Sequence, residues 1–370
     1  MRLEPIAYMT WAKAHVDDES IANLASSGIR GLVTDADLLE GLERIPILGL
    51  NSDGLPALRD AIAARYRVPP ENVLTAEGAS GANFLVLASW IRPGDRVLLE
   101  EPYYEPIGAV LRALEARIVL QPIDGPHGHA PILETLKADT AGFRAVVLTN
   151  PQNPTAAVVP DATLVTMADA CEAQDGLLIV DEAYRELLGE DPPGCAARAH
   201  PAICVTSSLT KPFGLSALRI GWGIGPPELI ERAKRIHDNL GVNHPYVSES
   251  LGARLLANTT KMDAIRARLL RRVAANRAAL ARFFEKQDLF EGGMPPHGIL
   301  AFPRWKGTPA IPDADTLCRR ALAEAQVALV PGRFFDRPDH VRIGAGAPEA
   351  DVARFLDRFA GYLRTQGEGR

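Results

Sequence analysis

Cysteine is scarce in this chain of 370 residues: Cys171, Cys195, Cys204 and Cys318 are all it has, and none forms a C-x-x-C pair. A chain of this length needs no disulfide or metal to hold a core, so the four read as small buried hydrophobes in a reducing compartment. Basic charge is not in excess either. Lys and Arg number 40 against 46 Asp and Glu, and a net charge of −6 gives no electrostatic footprint for nucleic acid or an anionic membrane. Long apolar runs are missing: the longest, Ala82 to Ile91, contains Asn83 and Ser89 and falls short of the roughly 20 residues of a membrane span. Met1-Arg2-Leu3-Glu4-Pro5 turns polar before an apolar stretch develops, so no secretory signal is read and a cytoplasmic location is expected. The histidines show no metal-ligand spacing except His127-Gly-His129, in a Pro/Gly stretch without acidic or cysteine partners, and that pair is expected in solvent.

What the chain does have is a globular composition, 47% hydrophobic and 23% charged, with a mean hydropathy of −0.02 and room for two domains. From about residue 56 to 225, strand-like runs alternate with helical patterns, the signature of an α/β domain with a mainly parallel sheet. The expected strands are 72–75, 95–100, 116–120, 145–149, 176–180, 202–206 and 220–224. Several are continuous apolar runs, as strands covered by helices on both faces require. Leu58, Ile62 and Tyr66 recur at helical spacing within 55–66, and 122–131 reads as a loop from its Gly and Pro. After about residue 226 the pattern changes. Helices are expected at 228–237, 262–286 and 350–363 and strands at 298–302, 327–330 and 340–343, a smaller α+β domain. Arg266, Arg268, Arg271, Arg272, Arg277 and Arg282 on the second of these helices read as a solvated face in a chain of acidic balance.

Polar residues gather where the expected strands end. Thr149-Asn-Pro-Gln-Asn153-Pro-Thr155 follows one strand, Asp181-Glu-Ala-Tyr184 the next, and Ser207-Ser-Leu-Thr-Lys211 a third. A carboxylate, a phenol, a carboxamide, a hydroxyl and a lysine converging on one sheet edge do not serve packing, because Asp and Lys are rarely buried unpaired. Ligands of open α/β sheets bind at the carboxyl ends of the strands, and these residues read as a cofactor cradle. Gly78-Ala-Ser-Gly-Ala82 opens a helix after a strand, where backbone N–H groups bind an anion without charged side chains. It fits neither a Walker A pattern nor G-x-G-x-x-G.

These motifs resemble those of the class I/II aminotransferases of fold type I, which use pyridoxal 5′-phosphate. The resemblance runs from Gly54-Leu-Pro-Ala-Leu-Arg59 to His340-Val-Arg342-Ile-Gly344, and its most specific part is Ser208-Leu-Thr-Lys211 with Arg219-Ile-Gly-Trp222. It implies that Lys211 forms the Schiff base and moves the substrate's proton. Asp181 would pair with the pyridine nitrogen, Asn153 and Tyr184 would bind the 3-oxygen, and Tyr104 of Glu101-Pro-Tyr-Tyr104 would stack on the ring. Amides of Ala79 and Ser80 with the side chains of Ser208 and Arg219 would hold the phosphate. Arg342 would grip the substrate α-carboxylate in a bidentate fork. Ser27 and Gly28 lie where the family's N-terminal segment covers the substrate.

The resemblance further implies an N-terminal segment (1–45) packing on the small domain, a large cofactor domain (46–240) and a small C-terminal domain (241–370). It implies an amino acid and a 2-oxo acid as substrates and a homodimer, with no metal, nucleic-acid or membrane partner. Most members carry a tyrosine about five residues before Gly54 that reaches the neighbouring subunit's phosphate. Ile47-Leu-Gly-Leu-Asn-Ser-Asp53 holds none, and Asn51 or Ser52 are the candidates to replace it. The same cradle serves elimination, replacement or cyclisation of a modified amino acid, and Gly298-Ile-Leu-Ala-Phe-Pro-Arg304 is faintly similar to capreomycidine-synthase-like enzymes.

Overall fold

The computed structural model describes residues 2–15, 20–123, 129–189, 194–294 and 297–367. Seven strands form the central sheet: β1 (Val73–Glu77), β2 (Arg96–Glu101), β3 (Arg117–Pro122), β4 (Ala145–Thr149), β5 (Leu177–Asp181), β6 (Ile203–Ser208) and β7 (Ile220–Ile224), in spatial order β1-β7-β6-β5-β4-β2-β3. All neighbours run parallel except β7, which is antiparallel to both β1 and β6. This is the mainly parallel sheet expected, one or two residues longer at several carboxyl ends.

Alternate residues of the apolar strands feed two cores. Leu98, Val146, Leu178, Val205 and Trp222 pack on one face, and Leu74, Val97, Leu99, Val147 and Ile179 on the other. Burial of each such side chain contributes about 1.5–3 kcal/mol, which explains why these strands carry no alternating polar residues. Helix Gly78–Trp90 lies against β1 and β7, where Gly223 lets Val86 approach the sheet. The four cysteines are buried and free, as expected of small hydrophobes, and burial pushes the thiols of Cys171 and Cys204 up to about 12.

A further core joins Leu280 and Phe283 of helix Thr259–Phe284, Leu317 of helix Ala314–Ala325, Val341 and Ile343, and Leu356 and Phe359 of helix Glu349–Gly367. Its sheet is short: Val341–Gly344 pairs antiparallel with Leu300–Ala301 and Val330–Pro331. The N-terminal strand Ala22–Asn23 pairs with Val327–Ala328. The arginines of helix Thr259–Phe284 are less free than expected. Arg268 pairs with Asp37 at 2.8 Å, and Arg266, Arg272 and Arg277 donate to the carbonyls of Gly189, Arg30 and Gly298. Four of the six arginines of that face therefore hold other segments of the chain. Of the expected loop 122–131, Pro122 ends β3 and Ala130 opens a helix, while 124–128 lie outside the described residues.

Candidate active site

β4, β5 and β6 bring their ends to one edge. The Asn-Pro-Gln-Asn-Pro-Thr turn after β4 folds on itself: Asn150 exchanges two hydrogen bonds with the Val159 backbone, and Gln152 Oε1 accepts from the backbone and hydroxyl of Thr155. This internal bonding sets Asn153, buried, with Oδ1 accepting from Arg342 Nη1 at 3.0 Å.

Asp181 ends β5 as a buried carboxylate with no cationic side chain in ion-pair range among the described residues. Its Oδ2 accepts from Asn83 Nδ2 at 2.8 Å and its Oδ1 from the Ala183 amide at 3.0 Å. Burial raises the carboxyl above its ordinary range, and Asn83, the Ala183 amide and the Lys211 charge offset only part of that. Tyr184 is buried too, and its hydroxyl has no hydrogen-bond partner among the described residues.

Lys211 lies in the one-turn helix Thr210–Phe213 after β6. Its Nζ donates to Ser27 Oγ at 2.7 Å, and its carbonyl accepts from the Ile29 amide at 2.8 Å. Gly28 is in contact with this lysine; an added Cβ would lie 3.3 Å from Lys211 Cα and Cδ. Tyr8, Ser27, Gly28, Tyr104, Thr210 and Lys211 line a cavity of about 270 Å³. A larger groove of about 580 Å³ between helices Thr259–Phe284 and Glu349–Gly367 holds none of the strand-end residues.

At the end of β1, Gly78 takes φ +78° and starts the helix that carries Ala79 and Ser80. Arg219 Nη2 donates to the Glu77 carbonyl at 2.9 Å, so its guanidinium lies against this turn; a Cβ on Gly78 would sit 2.6 Å from that nitrogen. Gly221 of β7 backs the turn so closely that a Cβ there would overlap the Gly78 backbone. Ser208 Oγ accepts from the Thr210 amide at 3.3 Å.

Arg342 is wholly buried, which excludes a surface salt-bridge role. Besides Asn153 it donates from Nη2 to Tyr8 Oη and to the Ala25 carbonyl, both at 2.9 Å. Gly344 and Gly346 admit the carbonyls of Ser26 and Gly28, so they serve chain packing. Tyr104 is half-buried, packs edge-on to Tyr8 at 6.1 Å, and its phenol is raised by burial and by the nearby Tyr8, Tyr184 and Asp181.

One expectation is corrected. His129 is buried, with Nε2 3.5 Å from Glu100 Oε2, because Ala130 begins a helix that turns the residue inward; His127 lies outside the described residues. Asn51 is turned into its own chain, donating to Glu249 Oε2 at 2.8 Å, which leaves Ser52 as the exposed one of the pair. Gly49, five residues before Gly54, faces the Tyr246 ring, which a Cβ would overlap.

Among the described residues one cluster has metal-ligand composition, Glu77, His237 and His244. The two imidazoles stack with centroids 3.7 Å apart and planes 10° from parallel, so one ion cannot lie in both ring planes, as a pair of histidine ligands requires. His237 is bonded to Glu77 at 3.1 Å instead. Sequence reasoning missed Asn83, Ser27 as a partner of Lys211, and Tyr8. Only Asn83 left a signal, a carboxamide inside the longest apolar run.

The residues present fit pyridoxal 5′-phosphate. A buried carboxylate without a cation matches a pyridinium, an unpartnered buried phenol matches the 3-oxygen, and a glycine turn at a helix N-terminus beside an arginine matches a phosphate. Residues 48–359 match the family described as aminotransferase class I and II. The capreomycidine synthase of Streptomyces vinaceus is 30% identical over 97% of this chain and 92% of its own length. The valine–pyruvate aminotransferase of Mycobacterium tuberculosis is 29% identical over 85% of this chain and 82% of its own. A PLP-dependent aminotransferase from Streptococcus suis shares the fold with a TM-score of 0.85 at 23% identity, covering 99% of both chains. No helix of the described residues is long and apolar enough to cross a membrane.

Proposed function

We propose an activity from one premise: the chain belongs to the aminotransferase class I and II family, whose enzymes use pyridoxal 5′-phosphate. Within it, the protein transfers an amino group from an amino acid to a 2-oxo acid, with Lys211 as the residue that links to the cofactor. The observation that carries this reading is the shared placement of the Lys211 amine, bonded to Ser27, and the buried Arg342 guanidinium, bonded to Asn153 and Tyr8, about the cavity that Tyr8, Ser27 and Lys211 line.

When bound, the cofactor supplies an electron sink for the charge that develops at the substrate Cα. Asp181 would hold a proton on the pyridine nitrogen; its burial makes an unpaired negative charge costly and so favours that partner. Tyr184 and the carboxamide of Asn153 would bind the 3-oxygen, and Tyr104 would lie against the ring. Amides of Ala79 and Ser80, with Ser208 and Arg219, would hold the phosphate. Arg342 binds the substrate carboxylate, which fixes the Cα–H near the Lys211 amine, and that amine moves the proton at Cα. Gly28 keeps the covering segment close to Lys211.

The protein acts as a homodimer. Leu48 is 86% and Leu50 93% exposed, with Ile45, Ile47, Leu240 and Val242 also in solvent, an apolar set that a second copy would cover. Free buried cysteines support a reducing, cytoplasmic compartment. A second reading, cyclisation or elimination on a modified amino acid, is supported by the near full-length likeness to a capreomycidine synthase. A spectral screen of amino acids against the bound cofactor's visible band separates them. Transamination yields the 2-oxo acid and the amine form of the cofactor in one half-reaction; a product that leaves the visible band restored with no second substrate supports the other chemistry.

A further inference from the structure

Arg342 is wholly buried and is not among the residues that line the cavity of Lys211, whereas two of its hydrogen-bond partners, Tyr8 and Ala25, are. A carboxylate entering that cavity meets Tyr8 and Ala25 before it meets the guanidinium. What it must displace follows from how Arg342 is bonded.

A guanidinium grips a carboxylate through two parallel N–H bonds, from Nη1 and Nη2 at its end or from Nε and Nη2 along its side, so both forks need Nη2. Nη2 carries two protons and both are used, one on Tyr8 Oη and one on the Ala25 carbonyl, each at 2.9 Å. Neither fork is open. Nη1 donates to Asn153 Oδ1 at 3.0 Å, and Nε is buried with no partner among the described residues. The three acceptors are a phenol, a peptide carbonyl and a carboxamide, so dipoles solvate a buried cation that a carboxylate would satisfy better.

These acceptors are not equally fixed. The Ala25 carbonyl belongs to a segment tied on both sides, where Leu24 accepts from the Gly344 amide at 2.7 Å and Ile29 donates to the Lys211 carbonyl at 2.8 Å. Asn153 is set by the bonds of its own turn. Tyr8 reaches Arg342 by a side chain with two rotatable bonds, and the cavity of about 270 Å³ that it lines gives its ring room to turn. Its helix need not move, because Glu105 holds the amides of Ala7 and Tyr8 at 3.0 and 2.7 Å. The ring packs on Tyr104, Phe334 and Phe335, contacts that a phenylalanine would make equally well, which leaves the bond to Arg342 as the task of the hydroxyl.

We propose that Tyr8 is a specificity-determining residue of the carboxylate site: its oxygen closes the Arg342 fork in the substrate-free protein, and a substrate carboxylate opens the fork by taking that place on Nη2. The inference rests on Arg342 being the residue that binds the substrate carboxylate. No covalent bond changes; Nη2 exchanges a phenol oxygen for a carboxylate oxygen. Every ligand must break the Tyr8 bond, so an anion that engages Arg342 alone binds weakly, and an amino acid held also at the Lys211 end of the cavity binds well.

The test is calorimetric titration of the full chain, loaded with pyridoxal 5′-phosphate, with propionate, an unreactive carboxylate, and with propionamide, its neutral counterpart. Tyr8→Phe keeps the ring and opens the fork. It should bind propionate on the order of tenfold more tightly than the parent does, and propionamide no differently. A second measurement needs no variant: propionate should perturb the near-ultraviolet tyrosine signal of the parent, and propionamide should not. Propionate affinity in Tyr8→Phe equal to the parent's or below it overturns the proposal, as does a tyrosine signal in the parent that propionate leaves unmoved. Propionate binding that is unchanged in folded Arg342→Gln overturns the reading beneath it.

Discussion

Asn83 Nδ2 donates to Asp181 Oδ2 at 2.8 Å, while Asn83 Oδ1 accepts from Thr206 Oγ1 at 2.5 Å. A carboxamide on helix Gly78–Trp90 thus fixes the carboxylate at the end of β5 and is itself fixed by β6. Asn83→Leu keeps the volume and removes both bonds. It should cost about 1.5–3 kcal/mol of transition-state stabilisation, roughly ten- to a hundredfold in kcat, while the phosphate end still retains cofactor. Turnover and cofactor content measured on the same preparation check this.

The raised carboxyl of Asp181 has a consequence for stability with a definite sign. A carboxyl whose value is higher folded than unfolded binds its proton more tightly in the folded state. The cofactor-free protein should therefore lose stability as pH rises from the ordinary Asp value of 3.8 through the raised value of Asp181. Asp181→Asn removes that loss. Urea midpoints of the two cofactor-free proteins should agree at the acidic end of this window and separate above it, with the Asn variant the more stable.

Arg342→Lys keeps the charge and loses the fork. Asn153 Oδ1, Tyr8 Oη and the Ala25 carbonyl would compete for one ammonium, and a carboxylate would lose its bidentate partner. The specificity constant for amino acids should fall by about 1.5–3 kcal/mol, while reaction with a simple amine lacking a carboxylate changes little. Steady-state kinetics with such a matched pair of substrates reads the difference.

Gly78→Ala places a Cβ at φ +78° and 2.6 Å from Arg219 Nη2. The left-handed backbone alone costs about 1–2 kcal/mol, and Arg219 must leave the turn. Cofactor retention on dialysis should drop, with no change in the reaction of the fraction that stays bound.

The sheet was legible because helix-covered parallel strands read as apolar runs, so 145–149 and 220–224 match residue for residue. Lys211, Asp181, Asn153 and Arg342 were legible because each sits in a motif of fixed spacing at a strand. Tyr8 was not, nor was Ser27 as the partner of Lys211. Ser27 reaches Lys211 across 184 positions and Tyr8 reaches Arg342 across 334, with no local pattern to mark either approach. His129 was misjudged for a related reason: its neighbours suggested a loop, and the buried Glu100 that it faces lies on a strand elsewhere in the chain. The short strands at 22–23, 290–291 and 304–305 are too brief to carry a period at all.

The central claim is that one lysine links this chain to its cofactor and carries its chemistry. Borohydride reduction of the cofactor-loaded protein, followed by peptide mapping, tests it most directly. The account predicts a phosphopyridoxyl label on Lys211 alone and no reducible visible band in Lys211→Ala; a label on another lysine, or undiminished turnover in that variant, contradicts it.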